Sequence, residues 1–510
     1  MRRLAGLWLA LFAATPAQLP SQSPSAASAR LAFTSASQVG RDAIASAWDD
    51  FAHGYVRRAY LRARIALSVD PGNGFARVLV AHLGTDMSTG ERQDELDRGV
   101  ADAARGSGGE LAVAMALRAA ALDRTAEVTP LVEAAAALLS DDPSVALLRV
   151  TLAPGSLDER VAALREVTRR FPAFAPAFNH LARSQLSAGD TSAGLRAVEE
   201  YVRLAPEYPG SHGAYGDILL ASGRVGEAHS HYRRAVEIEP AYAPGHAGIA
   251  AVNAAMKQYP DAITIMRRAL ALDPTMMSGY NLIAQAYLLL GDPAQARSAF
   301  LQSGERAPTA AIRVTQQGYA ALTFIMAGNP KEAVQSLSDV ALSAEDQNLG
   351  QQAAAMHRQM ALIEATLGER RLVAGHLTRA AQFAPPAGSA SVPGPALRFA
   401  ALCYALTGQM DQARTAARQF GEIATAGTAT QRHYWHEVNA VIAIAERNLE
   451  RARAELADGG PAPLGRALFA EALRNTGRTV EARALGDELL NRPLGPTVFD
   501  VIARFKMQRM

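Results

Sequence analysis

The chain has 510 residues, enough for several compact domains or one long array. Its 51 basic and 49 acidic side chains leave a net charge of +2, which excludes the concentrated basic excess of a dedicated nucleic-acid binder. A single cysteine excludes an internal disulfide framework and any multi-cysteine metal centre. An aromatic content of 6% favours closely packed helices over a sheet core.

The chain opens with Met1-Arg2-Arg3 and an apolar run from Leu4 to Ala14. Such a run rises only about 16 Å as a helix, roughly half a bilayer core, so it does not span a membrane. Its proportions are those of a secretory signal peptide within residues 1–29, cleaved after Ala17 or Ala29. No later stretch reaches 18 uncharged apolar residues, so the expectation is an exported, soluble, periplasmic or extracellular protein without an integral membrane span.

Residues 40–143 read as atypical helical repeats. In 40–73, Ala47, Gly54, Ala59, Ala66 and Pro71 stand at the offsets that recur later. From 144 to 310 the period is plain. Prolines fall at 172, 206, 240, 274 and 308, in steps of 34 residues. Gly155, Gly189, Gly223 and Gly291 keep the same step, with Lys257 where a glycine is due, and so do Gly194, Ala228, Ala262 and Ala296.

One unit, 209–242, shows the physics. Tyr215, Gly216, Leu219 and Leu220 share a helix face that ends at Gly223, a residue free to take the left-handed turn. Ala228, Tyr232 and Ala235 mark a second helix that stops before Pro240, and the small Gly216 and Ala228 let the two helices cross closely. Neither helix buries its stripe alone, so successive pairs must stack.

Beyond residue 310 the turns expected at Gly328, Gly368, Gly408, Asn448 and Gly477 imply longer, degenerate repeats over 311–385. A Pro/Gly/Ser hinge follows at 386–396, then C-terminal repeats at 397–492. The amphipathic tail within 493–510 reads as a capping helix.

The pattern resembles the tetratricopeptide repeat family, of the kind exported by bacteria. The unit 277–310 supplies Tyr280, Ile283, Ala284, Tyr287, Ala296, Phe300 and Pro308 at the family's positions, with Ser303 departing from an alanine. Unit 243–276 supplies Ile249, Ala250, Ala262, Ala269 and Pro274, and unit 175–208 supplies Phe178, Leu181, Ala182 and Pro206. The resemblance implies an all-α fold: a right-handed α-solenoid of about ten to twelve stacked antiparallel helix pairs. It also implies a groove on the first helices, where Asn179, Arg183, Asp217, Asn281 and Gln285 would flank a floor of Ala247, Gly248 and Ala251. Such a groove suits a peptide or protein segment. Arg183 and Asp217 hold equivalent positions in adjacent units and also read as a simple ion pair.

Candidate chemistry is sparse. His433, His436 and Glu437 share a helix face, yet Ala440 stands where a zinc-protease motif needs its second histidine. His229 and His231 fall on different sides of a helix and read as outer-surface residues. His212 and His246 share a repeat position with Phe178 and Tyr280 and read as a packing ladder. The Arg233-Arg234 and Arg267-Arg268 doublets stand where Glu199-Glu200 stand one unit earlier, so they read as solvated surface. Cys403 reads as a core residue. No phosphate loop or nucleophile elbow is present. The expectation is an interaction scaffold with a protein or peptide partner and with no catalytic, cofactor or metal site. The alternatives are an enzyme or metal site within 397–510 using His433 and His436, and a carbohydrate-binding or cell-wall-binding solenoid.

Overall fold

Each helix stop in the sequence forces the chain to turn, and the turns arrange it as a succession of helix pairs. The computed structural model describes residues 30–84, 87–383, 394–425, 427–457, 460 and 462–510. The expected signal peptide and most of the expected hinge lie outside the described residues. Among the described residues all regular elements are helical, and the chain divides into two units at Gly248 and Ile249.

The first unit pairs α1 (Gln38–Ala52) with α2 (Val56–Val69), α3 (Gly74–Leu83) with α4 (Thr89–Ala103), and α5 (Gly108–Ala121) with α6 (Thr125–Leu138). It continues with α7 (Pro143–Leu152) on α8 (Leu157–Arg170), α9 (Ala175–Ser187) on α10 (Thr191–Leu204), and α11 (Pro209–Ala221) on α12 (Val225–Ile238). The unit boundary falls within α13 (Ala243–Ala255).

The second unit carries α14 (Tyr259–Leu272), α15 (Met277–Leu289), α16 (Pro293–Glu305), α17 (Ala310–Met326) and α18 (Pro330–Asp346). Next come α19 (Gly350–Leu367), a 3-10 turn at Arg370–Leu372, α20 (Val373–Gln382), α21 (Gly394–Thr407) and α22 (Met410–Thr425). The unit ends with α23 (Ala429–Ala445), α24 (Leu449–Ala457), α25 (Pro463–Asn475), α26 (Thr479–Asn491) and α27 (Val498–Met507). Among the described residues twelve successive helix pairs pack together, α1–α2 to α11–α12 and α15–α16 to α25–α26, within the ten to twelve expected. The longer steps after residue 310 come from longer helices: α17 and α18 have 17 residues each and α19 has 18.

The 34-residue ladder is a ladder of backbone conformation. Gly189, Gly223 and Gly291 have φ of +84°, +75° and +82°, and Lys257 adopts the same turn at +62°. Gly155 departs from it: it precedes α8, whose start is held by the Ser156–Glu159 capping box. Further on, Gly328, Gly408 and Gly477 turn left-handed as expected. Gly368 ends α19 without a positive φ, the turn at Asn448 takes its left-handed residue from the adjacent Arg447, and Asn348 makes a further left-handed turn between α18 and α19. The ladder prolines have a second role. His212, His246 and Tyr280, one per unit at the same position, each bond the carbonyl of the proline six residues earlier: Pro206 at 3.2 Å, Pro240 at 3.0 Å and Pro274 at 3.4 Å. A carbonyl left open by the proline turn is satisfied by a flat polar side chain.

The tail packs on the last helix pair, meeting α26 as well as α25, and also reaches into the core of the unit. Helix α27 packs against α17, α19 and α25, and its Val498, Phe499, Val501, Ile502 and Phe505 belong to the unit's main core, together with Leu322, Met360, Leu402 and Leu464. Its apolar stripe makes it core.

Gly223 and Gly226 stand three residues apart in different conformations, which gives a paired test. Gly223→Ala forces a side chain into the left-handed turn and should cost about 1–2 kcal/mol. Gly226 lies inside α12 with open space around it, so Gly226→Ala should stabilise by about 0.5–1 kcal/mol. Denaturant unfolding of the two variants should move the midpoint in opposite directions.

Candidate functional site

The residues expected to form a groove fall in both units and are described unit by unit. In the first, Arg183 and Asp217 stand on α9 and α11 with side chains 60% and 50% exposed. The Arg183 guanidinium donates to Asp217 Oδ2 at 3.1 Å, so the simple pairing is realised, worth about 0–1 kcal/mol at this exposure. Asp217 Oδ1 accepts from the Tyr232 hydroxyl at 2.8 Å. Ala247 is half-buried. Asn179 is buried instead of open, and its amide donates to the His53 carbonyl at 3.0 Å. Gly248 is also buried, because its missing side chain makes room for the Tyr232 ring. The structure thus moves Asn179 and Gly248 from the expected contact surface into the packing of the repeats.

The partner that takes Asn179 is the α1–α2 turn, which the sequence reading did not bring here. The turn lies against α9, α10 and the loops that follow α10 and α12. His180 Nε2 meets the Ala52 carbonyl at 3.2 Å. His53 Nδ1 meets the Tyr201 hydroxyl at 2.8 Å, and its ring stacks on Tyr208 at 4.1 Å. Asp50, fully buried, is paired with Arg58 and Arg62, both at 2.7 Å, and Arg58 also reaches Glu239 at 2.5 Å. Tyr55 donates to Glu239 at 3.3 Å and meets Tyr242 edge-on at 5.1 Å. Burial holds the His53 imidazole down at about 4, and burial also lowers His180. The signal in the sequence was the pairing of Asp49-Asp50 with Arg57-Arg58 across a short aromatic turn, and helical periodicity does not register it.

In the second unit Ala251, Asn281 and Gln285 are all half-buried. Among the described residues, Asn281 Oδ1 is shielded from solvent and has no hydrogen-bond partner. Further along the chain, the three side chains that sequence placed on one face of α23 part company. His436 Nδ1 meets Glu455 at 2.8 Å, and His433 lies beside Gly460. Glu437 is fully buried, pairs with Arg398 at 2.5 Å and accepts the Gly465 N–H at 3.1 Å. The Arg398 guanidinium lies between the rings of Tyr434 and Phe499, at 3.6 and 3.8 Å, so this charge pair seats α27. Cys403 is buried and its thiol is pushed up by burial. Among the described residues no three His, Cys, Asp or Glu side chains gather as a metal-binding group, and no helix is long and apolar enough to cross a membrane.

Residues 179–243, 252–311 and, overlapping these, 219–275 match the tetratricopeptide repeat family. No curated protein matches the sequence. Among solved structures, a thermophilic repeat protein of Thermus thermophilus is 23% identical over 34% of this chain and 90% of its own, with a TM-score of 0.29. The C-terminal part of a repeat-containing protein from Cytophaga hutchinsonii is 15% identical over 46% of this chain and 92% of its own, at 0.33. PilF of Pseudomonas aeruginosa is 15% identical over 40% of this chain and 89% of its own, at 0.31.

The buried histidines make the α1–α2 turn acid-sensitive. A depressed pKa means that the neutral His53 ring stabilises fully above its ordinary value of 6.5, and that this contribution is lost as pH falls through about 4. The gap corresponds to at most about 3 kcal/mol. Protection factors of the amides of residues 49–58, corrected for the slower intrinsic exchange in acid, should fall between pH 6.5 and 4 in the wild type, and His53→Gln should flatten that dependence.

Proposed function

We propose that this chain, a tetratricopeptide repeat protein, is an exported interaction scaffold. It holds a protein or peptide segment on the first-helix faces of its regular repeats and performs no catalysis of its own. The observation that carries the reading is Asn281 Oδ1, a sheltered acceptor with no donor among the described residues. A buried carbonyl without a partner costs about 1–3 kcal/mol, and a backbone N–H of an extended ligand would remove that cost. Gln285 stands one turn further along α15, and the small Ala251 is half-buried on α13. In the first unit, Arg183, Asp217 and Ala247 are the accessible counterparts. Export rests on the basic start and the apolar run Leu4–Ala14.

Two measurements test this reading. Mass spectrometry of the native protein should show the loss of about 17–29 residues from the amino terminus; intact Met1 in a cytoplasmic fraction would refute export. Ala251→Arg should fold normally and lose partners captured by the wild type, whereas enlarging fully buried Ala262 to Leu should cost about 1–3 kcal/mol of stability by overpacking. An Ala251→Arg variant that keeps every partner at wild-type affinity would remove this face as the binding site.

A further inference from the structure

His212 on α11 and His231 on α12 belong to one helix pair of the first unit, and their Nδ1 atoms lie 3.1 Å apart. The sequence reading left them separate, His212 in a packing ladder and His231 on the outer surface. The tautomer of His212 follows from its other nitrogen. Nε2 meets the Pro206 carbonyl at 3.2 Å, and a carbonyl only accepts, so Nε2 carries the hydrogen and Nδ1 of the neutral ring presents a lone pair. That lone pair points at His231. The His231 ring is held in turn by Tyr215, whose ring centroid is 4.1 Å away. Both imidazoles are half-buried, and burial lowers both pKa values, so the pair stays neutral above the ordinary histidine range.

We propose that His212 and His231 form a chelating pair for a borderline divalent transition cation of the zinc, nickel or copper class. Two nitrogens 3.1 Å apart, each about 2.0–2.1 Å from one ion, subtend roughly 100°, between the square-planar and tetrahedral angles. Imidazole suits these ions. The Nε2–H bond of His212 to a backbone carbonyl is the outer contact that fixes a metal-ligating imidazole. In the free protein the single hydrogen between the two Nδ1 atoms sits on His231. When the ion enters, His231 changes tautomer, its hydrogen moving from Nδ1 to Nε2, and both lone pairs face the metal. No net proton leaves the pair. Glu227, four residues before His231 on the same face of α12, pairs with Arg224 at 2.6–2.7 Å and is exposed. Water completes the coordination unless Glu227 leaves Arg224 to do so. Arg234, the nearby cation that opposes metal entry, is itself paired with Glu207 at 3.1 Å.

Titration of the full chain with zinc chloride, followed by calorimetry at pH 7.5, tests the pair. The expected result is one saturable site in the micromolar range, with a heat that does not change with buffer ionisation enthalpy. His212→Ala and His231→Ala should each weaken it at least tenfold with unchanged circular dichroism. His229→Ala, two residues away on another side of α12, should leave it intact. Absence of a saturable site, or equal affinity in the wild type and both alanine variants, would overturn the proposal. Proton release of one per ion would overturn the tautomer exchange.

Discussion

Tyr232 sets how closely α11 and the start of α13 approach α12. Its ring is 2% exposed and lies between Gly216 of α11 and Gly248 of α13. A Cβ on Gly216 would stand 2.6 Å from that ring, and one on Gly248 would stand closer still. Two glycines and one aromatic therefore interlock, and a well-packed interior does not accommodate even one added methyl there without strain. The same side chain reaches outward: its hydroxyl donates to Asp217, whose second oxygen accepts from Arg183. One residue thus joins the approach of these helices to the Asp217–Arg183 pair on the first-helix face.

Local signals made the repeat architecture legible. Helix stops depend on glycine and proline chemistry at single positions, so the ladders at Gly189, Gly223 and Gly291 were readable directly, and even Lys257 was placed correctly by register. The expected turns at Gly368 and Asn448 also end helices, but which residue takes the left-handed conformation was not legible: beside Asn448 it is Arg447, a residue type that pays a steric penalty there. The site was less legible because burial is not a local property. Asn179 looks like a groove residue within its own repeat, and only the return of the α1–α2 turn, 126 residues away in sequence, turns it into a buried anchor. His231 shows the same limit: helical spacing gives its side of α12 but not the His212 ring it meets.

The turn that covers Asn179 is held by charge as much as by packing. Asp50 is fully buried, and a buried carboxylate persists only when it is paired. Arg58 and Arg62 from α2 supply that pairing, and Arg58 extends it to Glu239 beyond α12. Removing either charge of such a set leaves the other uncompensated, typically at a cost of about 3–5 kcal/mol. The turn is therefore a fixed part of the first unit, and the accessible first-helix surface there narrows to the region of Arg183, Asp217 and Ala247.

The second unit reaches a similar result by apolar means. Fully burying side chains such as Phe499, Ile502 and Phe505 contributes about 1.5–3 kcal/mol each, and α27 places all three in the main core. Arg398, held by Glu437 and sandwiched by Tyr434 and Phe499, adds a directional contact that selects one seating of the helix. A ligand competing for that seat would have to replace the aromatic, aliphatic and cation–π contacts together. The surfaces of α17, α19 and α25 that α27 covers therefore serve stability, and the first-helix positions that α27 does not reach are the ones this helix leaves open. Asn281 is among them, and its unsatisfied acceptor marks where the packing of the protein itself has stopped short.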